Sequence, residues 1–155
     1  MDFRGGEEAG RRMGEIGYNG ECHCGAIGFR YKCAASPAKW SVRACQCRFC
    51  RTHDALSTSD PASHIVFKAS DPAHLQRYRF GLKTADFLLC RNCGVYIGAI
   101  IETPNGRFGI INTRALTPQP DNCATALPIT YDGEAVADRV VRREGRWSPV
   151  SGVSW

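Results

Sequence analysis

Apolar and polar residues alternate along much of the chain from residue 17 onward, and a period of two predicts strands rather than helices. The clearest case is the segment 26–31, in which Ile27, Phe29 and Tyr31 fall on one face. Trp40 and Val42 carry the same pattern toward residue 45. The sequence therefore predicts a mainly β domain.

Two apolar runs, 95–102 and 107–112, flank Thr103-Pro104-Asn105-Gly106, which is a strong signal for a β-hairpin. Asp71 followed by Pro72 predicts the start of a short helix over 73–76. Residues 117–129 contain three prolines and predict an extended surface connection, whereas 132–142 fit a strand or a helix. Further strands are predicted at 64–69, 76–80 and 86–89.

The length of 155 residues suits one domain, which we place at 17–150. Residues 1–16 lack periodicity and predict a flexible leader, and residues 151–155 predict a C-terminal tail. The first twenty residues contain no apolar stretch typical of a signal peptide. The longest apolar run, 95–101, is too short to cross a bilayer. We therefore expect a cytoplasmic protein with no membrane association.

Seven of the nine cysteines fall into three tight clusters. Residues two apart rarely reach the geometry of a disulfide, and an odd total leaves one thiol unpaired. In a reducing compartment, clustered cysteines are more typical of a tetrahedral, thiolate-bound ion such as Zn²⁺. The three clusters are Cys22 and Cys24; Cys45, Cys47 and Cys50; and Cys90 and Cys93.

The first and third clusters together supply four sulfurs, enough to close one tetrahedral site. Each pair is followed by a glycine, Gly25 or Gly94, which tolerates the positive φ of a turn that points two sulfurs at one ion. The sequence therefore predicts a structural zinc on Cys22, Cys24, Cys90 and Cys93. Buried cysteines without metal are the alternative.

The middle cluster supplies three sulfurs, from Cys45, Cys47 and Cys50. Three protein ligands with an exchangeable fourth position are typical of a catalytic zinc. This predicts two zinc ions per chain, the second with an open position. The alternative is a second structural zinc, for which four residues could complete or support the ligand set: His53, Asp54, Cys33 and Cys123.

The formal charge of +5 raises the question of nucleic-acid binding. Metal-bound cysteines are deprotonated, so seven thiolates on two Zn²⁺ lower that charge to about +2. A nucleic-acid footprint is usually stronger and more continuous than this. The charge therefore argues against a nucleic-acid partner.

Residues 20–29, 45–50 and 90–94 resemble the glutathione-dependent formaldehyde-activating enzyme (GFA) family, which includes relatives of centromere protein V. The resemblance covers roughly residues 17–116 and implies an antiparallel, Mss4-like (β-tent) zinc-binding fold with short helical segments. It also implies that the first and third clusters hold a structural zinc. By the same resemblance, the middle cluster binds the zinc that is tied to activity. That activity joins glutathione and formaldehyde and so forms S-hydroxymethylglutathione.

Together these observations predict a zinc-dependent carbon–sulfur lyase-like enzyme acting on a glutathione-like thiol adduct of a small aldehyde. The substrate carboxylates would pair with Arg43, Arg48 or Arg51, because arginine suits bidentate carboxylate recognition. A non-catalytic zinc module that binds a protein is the main alternative. A zinc ribbon that binds nucleic acid is a weaker one.

Overall fold

The computed structural model describes residues 14–151. Over this range the chain forms eleven strands and two helices. Most of the predicted leader lies outside the described residues, and its last residue, Ile16, begins the first strand. The strands are β1 (Ile16–Glu21), β2 (Ile27–Cys33), β3 (Val42–Cys45), β4 (Ser57–Thr58), β5 (His64–Ala69), β6 (Leu75–Tyr78), β7 (Asp86–Cys90), β8 (Tyr96–Thr103), β9 (Gly106–Asn112), β10 (Leu127–Ile129) and β11 (Ser148–Pro149); the helices are α1 (Arg48–Thr52) and α2 (Val136–Arg146).

A small antiparallel sheet has the order β1-β2-β5. The alternation predicted for 26–31 is confirmed, since Ile27, Phe29 and Tyr31 are all buried on β2. Phe29 pairs in register with Phe67 of β5, and their rings meet edge to face with centroids 6.3 Å apart. Such pairs fix the register of a sheet that has one buried face.

A larger sheet has the order β10-β3-β4-β9-β8-β7-β6, with β11 paired to β9. Its pairs are antiparallel except that of β10 with β3. The predicted hairpin is confirmed, because β8 and β9 pair up to Thr103 and Gly106 with only two residues between them. One core joins the two sheets, with Phe29 and Phe67 of the small sheet and Leu88 and Ile111 of the large one fully buried. The prediction of a mainly β, Mss4-like fold is confirmed.

Three segments differ from their sequence predictions. Asp71 caps a single 3₁₀ turn, Pro72–His74, rather than a helix over 73–76, because Leu75 already pairs with β7. The connection 117–129 ends in strand β10, and the ambiguous segment 132–142 contains most of helix α2. Within residues 14–151, neither helix has the length and apolar character needed to span a membrane.

Candidate metal centres and the adjoining cavity

The four cysteines of the first and third clusters converge at one point, although they come from different sheets. Cys22 and Cys24 lie in the turn between β1 and β2, Cys90 ends β7, and Cys93 lies in the turn before β8. All four sulfurs lie within 4.8 Å of one another. This cluster, Cys22, Cys24, Cys90 and Cys93, is called the four-sulfur site below.

Sulfur spacing in the four-sulfur site matches metal coordination and excludes disulfides. The Sγ atoms of Cys22 and Cys24 are 3.8 Å apart, and those of Cys24 and Cys90 are 3.6 Å apart. A disulfide needs about 2.0 Å. With Zn–S bonds of about 2.3 Å, neighbouring sulfurs of a tetrahedron lie about 3.8 Å apart. The residues present therefore fit a tetrahedral, thiolate-bound ion.

Two similar turns position the sulfur atoms of the four-sulfur site, one after Cys22 and one after Cys90. The Ile27 amide donates a hydrogen bond to Cys22 Sγ, and the Cys93 amide donates one to Cys90 Sγ, each at 3.4 Å. The following glycines, Gly25 and Gly94, have φ of +81° and +82°, where a side chain would be strained. Amide donors favour the thiolate over the thiol, so these turns are prepared for a cation.

Neighbouring sulfurs of this site have opposite pKa shifts. Burial raises the pKa of Cys22 to about 11. Hydrogen bonds from the Asn92 side chain and the Ala26 amide lower the pKa of Cys24 to about 6. Packed sulfurs without a cation thus hold protons between them, and a bound metal would replace those protons.

The middle cluster gathers three sulfurs at the junction of β3 and α1. Cys45 ends β3, and Cys47 caps α1 by accepting a hydrogen bond from the Cys50 amide at 3.4 Å. Cys50 lies inside α1 and is buried. The three ligand atoms lie within 4.8 Å of one another. This cluster, Cys45, Cys47 and Cys50, is called the three-sulfur site.

Among residues 14–151, no fourth His, Cys, Asp or Glu ligand atom joins the three-sulfur site. The four candidates for that position have other contacts. Cys33 donates to the Ala35 carbonyl, and His53 packs on the Phe49 ring. Asp54 pairs with Arg114, and Cys123 packs against the main core. An ion at the three-sulfur site would therefore keep a position free of these groups.

The pKa values of the three-sulfur site also diverge. A hydrogen bond from Cys50 lowers the pKa of Cys45 to about 6, and the positive charge of Arg142 adds to this effect. The same contact and burial raise the pKa of Cys50 far above its ordinary range. The two opposite shifts show that Cys45 and Cys50 compete for one proton, and a cation bound to the sulfurs would favour the thiolate form of both.

A buried tyrosine hydroxyl accompanies this site. Tyr96 packs in one cluster with Cys50 and Ala55, and only 1% of its surface is exposed. Its hydroxyl is buried and has no hydrogen-bond partner among the described residues. Burial, together with the negative charges of Cys50 and its neighbours, raises its pKa well above the ordinary value. An unpartnered buried hydroxyl is costly to the stability of the folded protein.

The three-sulfur site opens on a cavity of about 240 Å³. Phe80, Phe87 and Trp147 contribute apolar walls, and Tyr131 and Asp132 also line it. Four arginines line the same cavity: Arg43, Arg139, Arg142 and Arg143. This space is called the arginine cavity below.

The four arginines divide into two kinds. Arg139 and Arg142 share the carboxylate of Glu134 at 3.0 and 2.8 Å. Arg143 is 7% exposed and donates to the Thr84 hydroxyl at 2.7 Å, while Arg43 donates to the Ser59 hydroxyl at 2.8 Å. Burial lowers the pKa of Arg43, and it lowers that of Arg143 to about 10.

Of the arginines predicted to meet substrate, Arg43 lines the cavity. Arg48 and Arg51 are exposed and are not among its lining residues. The sequence prediction missed the arginines of α2. Their signal was the spacing of residues 139, 142, 143 and 146, which places arginines on one face once that segment is helical.

Comparison with known proteins gives one family-level match. Residues 17–129 match the family model described as glutathione-dependent formaldehyde-activating enzyme, which is well over half of the chain. A crystal structure of a Rhodobacter sphaeroides protein is similar, with a TM-score of 0.52 and 24% identity, covering 71% of this chain and 97% of that one. That likeness shows a shared fold.

A local match was also found. The chain is 38% identical over 68 residues to a protein named ribosomal RNA small subunit methyltransferase G, from Cereibacter sphaeroides. The match covers 44% of this chain and 31% of the methyltransferase. The chain thus spans less than a third of the methyltransferase, and the match assigns no activity to this chain.

Proposed function

Since the chain belongs to the glutathione-dependent formaldehyde-activating enzyme family, we propose that it is a zinc-dependent carbon–sulfur lyase-like enzyme acting on a thiol adduct of a small aldehyde. One observation carries the proposal. The four-sulfur site is complete, whereas the three-sulfur site lacks a fourth ligand among the described residues and opens on a cavity. A complete site stabilises a fold, and an incomplete one can accept substrate.

Each sulfur site has a separate role in this proposal. Cys22, Cys24, Cys90 and Cys93 hold a structural zinc, and Cys45, Cys47 and Cys50 hold a second one. When bound at the three-sulfur site, zinc supplies a position that keeps a substrate thiol deprotonated and polarises a carbonyl group. None of the nine cysteines forms a disulfide, and a reducing, cytoplasmic location is part of this proposal.

The reaction needs neither oxidant nor reductant. In the forward direction the thiol sulfur adds to the aldehyde carbon, so a C–S bond forms and the carbonyl π pair moves onto oxygen. The proton lost by the thiol ends on that oxygen, giving a hydroxymethyl thioether. The reverse reaction breaks the C–S bond and returns the proton to sulfur.

The chain's own groups assist in two ways. Phe80 and Phe87 exclude water from the reacting atoms. The cationic side chains of the arginine cavity attract an anionic thiol toward the sulfurs.

Cobalt substitution tests this proposal directly. The Co²⁺-loaded protein should change its thiolate charge-transfer bands when glutathione is added. NMR should then show faster exchange between free and adduct formaldehyde than with glutathione alone, and Cys47→Ser should remove both effects. Unchanged bands and no faster exchange with several thiols would overturn the enzyme proposal and leave a protein-binding zinc module.

A further inference from the structure

Two arginines of the arginine cavity have no carboxylate partner among the described residues. Arg143 and Arg43 form no ion pair within residues 14–151, although Arg143 is buried and Arg43 is half-buried. Their guanidinium groups donate hydrogen bonds to the neutral hydroxyls of Ser59 and Thr84. A buried guanidinium without a counter-ion is strongly disfavoured. The negative charge can come from the thiolates of the three-sulfur site or from an anionic ligand in the same cavity.

Arg143 is the stronger indication. Its Nη1 donates to Thr84, and its guanidinium lies over the Trp147 ring at 4.7 Å from the centroid. Its Nε is buried and has no hydrogen-bond partner among the described residues. The ring and the hydroxyl hold the guanidinium in place, and the unpartnered N–H leaves a donor unsatisfied in the cavity wall. Arginine held in this way is prepared for a planar oxyanion.

The two other arginines of the cavity, Arg139 and Arg142, share one carboxylate. Glu134 accepts from both Arg139 and Arg142, and the latter also lies over the Tyr131 ring at 3.6 Å. Asp132, the acidic residue that lines the cavity, is exposed. One positive charge remains on that pair, and Arg43 and Arg143 are the cavity arginines without a carboxylate partner among the described residues.

We infer that the arginine cavity selects thiols and thiol adducts that carry a carboxylate close to the sulfur, bound by Arg143 and Arg43 while the sulfur reaches the three-sulfur site. This inference rests on the proposed function and adds the substrate class to it. A volume of about 240 Å³ is below the usual range for drug-sized ligands, so it suits a short mercaptocarboxylate or that part of a larger thiol.

Helix α2 lies outside the part of the chain that matches the family model. The family match ends at residue 129, while Arg143 and Trp147 lie beyond it. The sulfur ligands come from the family-matching region. Selection of the anionic group thus comes largely from a segment outside that region.

The test compares two thiols of nearly equal size, mercaptoacetate and 2-mercaptoethanol, by titrating the charge-transfer bands of the Co²⁺-loaded protein. We expect the parent to bind mercaptoacetate at least tenfold more tightly. Arg143→Met and Arg43→Met should each reduce this preference severalfold, and Arg143→Lys should retain part of it. The control is Arg107→Gln, which removes a charge from an exposed position of β9 outside the cavity lining and should leave the preference unchanged.

A second readout does not depend on cobalt spectra. In the zinc-loaded protein, the Nε–H NMR signal of Arg143 should shift with mercaptoacetate and stay in place with 2-mercaptoethanol. A preference that survives both methionine variants would overturn the inference and leave the proposed function intact. Equal loss of both thiols together with lower cobalt content would also overturn it, because the arginines would then serve only to balance the thiolates. Failure of the parent to bind either thiol would instead overturn the proposed function.

Discussion

The sulfur atoms of Cys24 and Cys90 lie 3.6 Å apart although 66 positions separate these residues in the chain. Cys24 belongs to a turn of the small sheet, and Cys90 ends a strand of the large one. An ion held between them therefore links two sheets as well as two turns. Removing it would affect the whole domain, whereas the three-sulfur site draws on one short stretch, 45–50.

The first prediction concerns the four-sulfur site. Cys24→Ser or Cys93→Ser should give insoluble or unfolded protein, because a structural zinc contributes on the order of 10 kcal/mol that is also folding free energy. Circular dichroism and metal analysis would check this. Cys123→Ser is the control and should retain two ions per chain. Parent-like melting of both ligand variants would contradict the assignment.

The second prediction separates the three-sulfur site from the fold. Cys47→Ser should lower the metal content by about one ion per chain, since a three-ligand site is reduced to two ligands. The β signal in circular dichroism should persist, because the four-sulfur site and the core remain. Unfolding of this variant would show that the second ion is structural and would favour the protein-binding alternative.

The third prediction concerns the unpartnered Tyr96 hydroxyl. Tyr96→Phe should leave the free energy of unfolding unchanged or raise it by about 1 kcal/mol, since it removes a buried hydroxyl without a partner. Adduct exchange should change less than severalfold, because Tyr96 is not among the residues that line the arginine cavity. Urea unfolding and NMR exchange would measure the two effects. A large loss of stability would mean that the hydroxyl has a structural partner.

The fourth prediction is a pH dependence. Arg142 and Arg139 lower the pKa of Glu134 below its ordinary value of 4.5. A lowered carboxyl pKa stabilises the folded protein above pH 4.5, and this stabilisation is lost as the pH falls through the lowered value. Glu134→Gln should therefore cost roughly 1 kcal/mol at pH 6 and progressively less toward pH 3.

Urea unfolding of parent and Glu134→Gln protein across this pH range would check the effect. The difference between the two proteins is the informative quantity, because protonation of the cysteine sites affects both alike. A difference that stays constant from pH 6 to pH 3 would show that the carboxylate contributes no pH-dependent stabilisation.

Local sequence signals predicted those parts of the molecule that depend on local contacts. The alternation at 26–31 and the turn at 103–106 depend on neighbouring residues, so the corresponding strands were predicted closely. The grouping of sulfurs followed from ligand number, and the structure brings together the same two sets that the sequence predicted. The number of ligands that a metal ion needs limited the possible groupings of cysteines more than their positions in the sequence did.

Features created by distant contacts were not predictable in this way. Strand β10 exists because its residues pair in parallel with β3, more than eighty positions earlier. Helix α2 follows a proline-rich connection, and its Arg143 reaches Thr84 across the fold. Likewise, the Tyr96 hydroxyl lacks a hydrogen-bond partner because the residue is buried against α1, and this contact cannot be read from the sequence.

The metal ligands and the α2 residues of the arginine cavity come from different parts of the sequence. All seven clustered cysteines lie between residues 22 and 93, whereas much of the cavity wall lies between 131 and 147. Recombination that replaced only the later stretch would reshape the chamber while every sulfur stayed in place. New specificities could then arise by exchange of one helix, with the metal chemistry inherited intact.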